Sequence, residues 1–403
     1  MATSSGMSGM SGMSGMSGMS GMSGMSGMSG MGGGDALLAN AWITTRDGIA
    51  GSWQPPGTPP DAGLLDEPRN LERLDEPVLQ QIIDFEIFSR LGLSVHRAGP
   101  GAATVWHQTS RVSREGDLSV DPKPLARITR PPQAVFRDQL ELMETYAPLR
   151  AERSAEIVAQ ITGPLAFIDA VVYLRPERTP WTVRLLKASL RLAFHVEQRF
   201  KHALGCRRPS EYSPQVQPMI YTPLHGTLPS GHATEAFIST IVLWRVLEAA
   251  GREADGTPYG DPEYRASLLA QLTALASRIA INRTVAGVHF PVDNVAGAVL
   301  GLTLGEYLVN RCRGDRNYGA WEFDGTGYPV STGGESGYVA TDFDLDAFFE
   351  FEIGREGLKA GAPWVRKLQP ARPTLLHAER SATLAWLWEK AVAEWTLPEP
   401  FGR

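Results

Sequence analysis

The chain has almost no cysteine, no long apolar run and no excess of positive charge. Two cysteines, Cys206 and Cys312, in 403 residues exclude a disulfide framework; one pairing is arithmetically open, but two buried free thiols are expected. A net charge of -6 and a sequence pI near 5.8 exclude broad nucleic-acid binding, which shows as a basic excess. The longest apolar stretches, Ala236 to Trp244 and Val295 to Leu304, fall short of the ~20 residues a spanning helix needs, and charge interrupts them at Arg245 and Glu306. The N-terminus lacks both the basic n-region and the compact apolar h-region of a secretory signal. A soluble chain is expected, cytoplasmic in preference to exported, with export left open.

What is present begins with Met-Ser-Gly repeats in residues 1–34, which hold most of the 12 methionines. Glycine recurs every third residue there without proline, which excludes a collagen helix and leaves a flexible tail. Residues 35–75, rich in Gly, Pro and Asp, read as an extended arm. From 76 to 403 a helical period dominates, at Pro77–Leu91, Pro132–Tyr146, Glu152–Tyr173, Trp181–Leu204, His232–Ala250, Pro262–Val285, Pro291–Cys312 and Ser381–Trp395. No βαβ alternation or clear period-2 strand stands out, and 313–375 reads as a long irregular loop. The expected fold is therefore all-α: one helical bundle with a site in its core, plus long irregular loops.

Three segments carry chemistry. The helix ending near Gly205 has Lys201 in its last turn and Arg208 just past its stop, held by Pro209; Arg199 and Arg207 complete a local basic cluster. Alone, these are ordinary partners for a helix C-terminal dipole. Leu228-Pro-Ser-Gly-His-Ala-Thr-Glu235 puts Ser230, Gly231 and His232 where a helix begins. A cap needs only the serine; glycine and histidine there fit better with an anion site, where free N–H groups and the dipole face a ligand. In the third segment Arg283 ends one helix, and His289 and Asp293 stand at i and i+4 at the start of the next. That spacing sets a carboxylate beside the imidazole, where it can hold the tautomer.

Together, Lys201-x6-Arg208-Pro209, Pro229-Ser-Gly-His232 and Arg283-x5-His289-x3-Asp293 resemble the superfamily of type 2 phosphatidic acid phosphatases and vanadium-dependent haloperoxidases. The likeness spans Trp181 to Cys312, with core motifs in 201–293; Asn282 stands where the family often has serine. The resemblance implies a helical bundle around a tetrahedral oxyanion, vanadate or phosphate. Lys201, Arg208 and Arg283 would neutralise its equatorial oxygens, with Ser230 and the Gly231 N–H as further donors. His289 would attack or ligate the central atom, Asp293 would orient it, and His232 would act as acid and base from the opposite side.

Two chemistries follow. In a phosphatase His289 is the nucleophile and forms a phosphohistidine. In a haloperoxidase His289 is the vanadium ligand and Lys201 polarises the oxidant; the partners implied are hydrogen peroxide, a halide (bromide or iodide) and a small organic substrate. Neither nucleic acid nor membrane is among the expected partners, and homo-oligomerisation is open. His225, seven residues before His232, resembles a bromoperoxidase histidine beside the halide pocket, although Gly226-Thr-Leu departs from that pattern. The absence of spanning helices and His225 together put the haloperoxidase first and an acid phosphatase second. A non-catalytic binding protein ranks last, because no member of the cage is missing.

Overall fold

The computed structural model describes residues 36–52, 57, 63–251, 261–314, 318–330, 341–368 and 380–396. The Met-Ser-Gly tail lies outside them. The arm contains an exposed helix, α1 (Ala36–Ile49), and leads through a short 3-10 turn at Pro68–Arg73 into α2 (Glu76–Phe88). Three strands follow: β1 (Leu91–His96), β2 (Ala102–Val112) and β3 (Leu118–Thr129). Helices α3 (Gln133–Tyr146), α4 (Arg150–Ala159) and the single turn α5 (Leu165–Ile168) lead into the long α6 (Pro180–Leu204). After α7 (Pro209–Tyr212) come the core helices α8 (Gly231–Ala250), α9 (Pro262–Val285) and α10 (Pro291–Arg313). The chain closes with β4 (Trp321–Asp324), β5 (Phe349–Glu350), β6 (Gly357–Leu358), β7 (Val365–Lys367) and α11 (Ala382–Ala393).

The all-α expectation is overturned. A mixed five-stranded sheet runs in the order β1-β2-β3-β4-β7, with β3–β4 parallel and its other pairs antiparallel; β5 and β6 form a second, two-stranded sheet. Two features hid the β2–β3 hairpin. Ala102, Ala103, Thr104 and Val105 are all buried, so the strand is covered on both faces and shows no alternation. Pro122 and Pro124 read as breakers, yet they sit in β3 opposite Gln108 and Trp106, beside a register shift at Val105/Trp106. The readable signal was the β-branched run around Thr104, Val105 and Thr109, with glycines at Gly99, Gly101 and Gly116 beyond the strand ends. Part of the expected loop 313–375 likewise supplies β4 and β7, because β4 pairs Ala126 with Trp321 across the chain. The expected helix Glu152–Tyr173 is broken, since Gly163 turns to φ 106° between α4 and α5.

The core is built around α8, packed between α6 and α10 with α9 alongside. Gly297, Gly301 and Gly305 recur every fourth residue on α10 and let it approach α8 backbone to backbone. A Cβ on Gly301 would stand 2.4 Å from the Thr234 carbonyl oxygen, which cannot swing away. Gly301→Ala is therefore expected to destabilise the fold by about 2 kcal/mol or more, read as a lower denaturant midpoint. An unchanged midpoint would show that the two helices slide apart at little cost. By length and composition α10 could cross a membrane, but 94% of its apolar window is buried here, which makes it the central core helix. The apolar runs read from the sequence were shorter than this helix. Both cysteines are free and buried, as expected.

Candidate active site

Five helix ends meet at one place: the C-terminal ends of α6 and α9 and the N-terminal ends of α7, α8 and α10. Each carries at least one of the expected residues. Lys201 lies in the last turn of α6, which Gly205 stops with φ 60°. Arg208 stands at the start of α7, its backbone N–H donating to Glu211 Oε2 at 2.7 Å. Arg283 ends α9. These cations are 2%, 3% and 1% exposed respectively, a costly burial unless each finds acceptors.

The acceptors are only partly supplied. Lys201 Nζ lies 3.3 Å from Glu197 Oε1. Arg208 donates through Nη1 to the Val288 carbonyl at 2.8 Å and through Nε to the His225 carbonyl at 3.1 Å. Arg283 Nη2 donates to Gln160 Oε1 at 2.8 Å and the Ile157 carbonyl at 3.2 Å, while its Nε and Nη1 are buried without a partner. Burial pulls both arginines down to about 10, which leaves them charged at neutral pH.

His289 and Asp293 form the expected pair. Nδ1 of His289 lies 3.2 Å from Asp293 Oδ2, and that oxygen also accepts from Thr227 Oγ1 at 2.6 Å and the Phe290 N–H at 2.8 Å. On the other side of the ring, Nε2 accepts from Arg208 Nη1 at 3.0 Å. Guanidinium never accepts, so the proton belongs on Nδ1 and the Nε2 lone pair faces the cations. Burial, then Arg208 and Lys201, hold this imidazole well below its usual range, so it is neutral. Burial also raises Asp293, to about 6, against its hydrogen bonds to Thr227 and Phe290.

At the start of α8, Ser230 occupies the cap position but makes no capping bond, and its buried hydroxyl has no partner. Gly231 opens the helix. His232 Nε2 lies 3.1 Å from the Gln160 carbonyl, so Nε2 donates and Nδ1 keeps a free lone pair. Burial, then Arg283 and Lys201, keep His232 neutral, well below its ordinary value. His225 touches the cage directly: its Nδ1 accepts from Arg208 Nη2 at 3.0 Å, and burial with the charges of Lys201 and Arg208 pulls it down to about 4.

The unpartnered donors share one character. The Ser230 hydroxyl and two guanidinium nitrogens of Arg283 are fully buried and unsatisfied. Buried donors left unpaired are costly, and an oxyanion with several acceptor oxygens would satisfy them together.

Residues 183–317, from α6 through α10, match the family model of the PAP2 superfamily. The segment that holds all three motifs is thus similar to the PAP2 superfamily. That likeness supports an enzymatic activity of phosphatase or haloperoxidase type. No curated protein matches the sequence. Among solved structures, the first transmembrane PAP2-type phosphatidylglycerolphosphate phosphatase from Bacillus subtilis is 19% identical over 44% of this chain and 83% of its own, with a TM-score of 0.27. That score is too low for the likeness to bear on fold or function.

The PAP2 motifs named nine residues here, and the fold gathers all of them: Lys201, Arg208, His225, Ser230, Gly231, His232, Arg283, His289 and Asp293. Sequence reasoning missed the groups that hold them. Gln160 is the most connected of these, because its carbonyl takes His232 while its side-chain oxygen takes Arg283 and Asn282. Nothing around Gln160 marks it, since it comes from a 3-10 turn after α4, outside the matched segment. Thr227 and Glu197 were equally silent. Glu197 was in principle findable: it precedes Lys201 by four residues on one helix face.

Proposed function

We propose that the protein is a phosphoric ester hydrolase that works through a phosphohistidine at His289. The observation that carries this reading is the His289 ring: Nδ1–H is held by Asp293, and a neutral Nε2 is turned toward the buried Arg208, with Lys201 also acting on the ring. Nε2 would attack phosphorus, forming the P–N bond as the P–O bond to the leaving alkoxide breaks. Lys201, Arg208 and Arg283 would balance the charge on the transferring oxygens, with Ser230 and the helix N–H groups adding donors. His232 is neutral because burial and cations disfavour its charge. A bound dianion offsets those cations, raises His232, and lets Nδ1 give a proton to the leaving alkoxide and then take one from water. The family match supports this order of readings and reverses the one expected from sequence, where halide oxidation stood first. A rapid quench with labelled aryl phosphate should trap a base-stable, acid-labile phosphoprotein. No label and no released phosphate between about pH 4 and 8 would overturn the reading.

One observation favours a second reading, the hydrogen bond from Arg208 to His225. The unpartnered Ser230 hydroxyl and Arg283 nitrogens fit vanadate as well as phosphate. His289 would hold the metal and the cations its oxygens, and the bound group would supply Lewis-acid activation of hydrogen peroxide for halide oxidation. His225→Ala removes the Nδ1 acceptor but keeps the carbonyl that takes Arg208 Nε. Bromide oxidation by the vanadate-loaded protein should fall about tenfold or more, with oxyanion affinity nearly unchanged. Equal bromide turnover in both proteins would remove the support for this reading.

A further inference from the structure

One carboxylate stands among the cations of an anion cage. Glu197 on α6 is 2% exposed. Its Oε1 takes both of its donors, Lys201 Nζ at 3.3 Å and the Gln198 side-chain nitrogen at 3.4 Å. Oε2 is buried without a partner. A Cβ on Gly231 would stand 2.5 Å from Oε1 and 3.1 Å from Oε2, so the carboxyl lies against the first residue of α8. There the Ser230 hydroxyl is also unpaired, and the helix N–H groups favour an anion. Glu197 has no role in the mechanism above.

Pairing with Lys201 accounts for one carboxylate oxygen and leaves the other idle. An ionised carboxylate only accepts, so against an oxyanion without a proton Oε2 meets repulsion. Against an oxyanion that carries a hydroxyl it gains a donor, and the buried acceptor is satisfied. We propose that Glu197 Oε2 accepts a hydrogen bond from a hydroxyl on the bound oxyanion, so that the cage selects hydrogen phosphate over sulfate. Both are tetrahedral dianions of similar size, and only hydrogen phosphate has the hydroxyl. This rests on the reading that the cage binds a tetrahedral oxyanion, and it makes Glu197 the residue that recognises the released product. Hydrogen vanadate presents the same hydroxyl. Burial raises the proton affinity of the carboxyl against Lys201 and Arg208, which strengthens it as an acceptor. A site built to hydrogen-bond a ligand hydroxyl rejects a ligand without one, because its own buried group is then left unpaired.

Titration calorimetry with inorganic phosphate and with sulfate tests this at about pH 8, where both ions are dianions. The wild-type protein should bind phosphate about a hundredfold more tightly than sulfate. In Glu197→Gln, Lys201 and Gln198 still present only donors, so they hold the new amide by its oxygen and turn its nitrogen to the place of Oε2. An N–H then faces the ligand. The variant should bind sulfate about tenfold more tightly than wild type and phosphate several-fold less tightly, which brings their ratio to within about threefold. If Glu197 only offsets the charge of Lys201, both ions gain alike; if His232 Nδ1 takes the hydroxyl, the preference survives. An unchanged ratio in Glu197→Gln therefore overturns the proposal. A second probe needs no variant: monofluorophosphate, in which fluorine replaces the hydroxyl, should bind the wild-type protein as weakly as sulfate. Monofluorophosphate binding as tight as phosphate, or wild-type sulfate binding equal to phosphate, also overturns it. Absence of binding by all three ions would instead overturn the oxyanion reading beneath it.

Discussion

His289→Ala should lower turnover by about 10^4-fold or more, because the covalent step runs through Nε2 and no other imidazole in the cage is held by Asp293. The loss should appear in kcat and kcat/KM alike, and the labelled phosphoprotein should vanish. Folding should survive, since Asp293 keeps its bonds from Thr227 and from the Phe290 N–H at the start of α10. Its Oδ2 loses only the longer, 3.2 Å contact to the ring. Phosphate or sulfate should still bind, within about tenfold, because the cations remain. Turnover within tenfold of wild type would mean that the nucleophile is another group, and the reading of the site would fall with it.

Arg283→Met should separate stability from function. Arg283 is 1% exposed, and two of its guanidinium nitrogens have no partner within the protein. A buried cation short of acceptors is destabilising, and an apolar side chain of similar length often improves on it by about 1–3 kcal/mol. For a chain of this size that is a rise of a few degrees in Tm, measured without oxyanion. Gln160 Oε1 is not orphaned, because Asn282 Nδ2 still donates to it at 3.0 Å. Oyxanion affinity should fall about a hundredfold or more, with activity lost alongside. Wild type should gain Tm when sulfate is added and the variant should not, since only binding to the folded state stabilises it. A variant less stable than wild type by several degrees would identify Arg283 as a structural cation.

The two substitutions also separate what was legible from what was not. Every residue they act on was named from the chain, because PAP2 motifs place their chemistry at helix ends, and helix ends are local events. Gly205 stops α6 after Lys201, Pro209 starts α7 after Arg208, and the four-residue spacing of His289 and Asp293 lies within one helical turn. The supporting groups were not legible, because they arrive from elements distant in sequence. Gln160 reaches Arg283 across 123 positions and His232 across 72.

The sequence by itself determined helices α6 and α8 to α11 to within a residue or two, pointed to the two free thiols, and named the motif residues of the three segments. Each follows from short-range periodicity, capping or spacing. Only the tertiary structure decided that the chain is not all-α, because β3 finds β4 nearly 200 positions later and both-face burial erases the strand pattern. It also decided which cage donors lack partners, since burial belongs to the packed arrangement of α6, α8 and α9 and leaves no mark on any one of them.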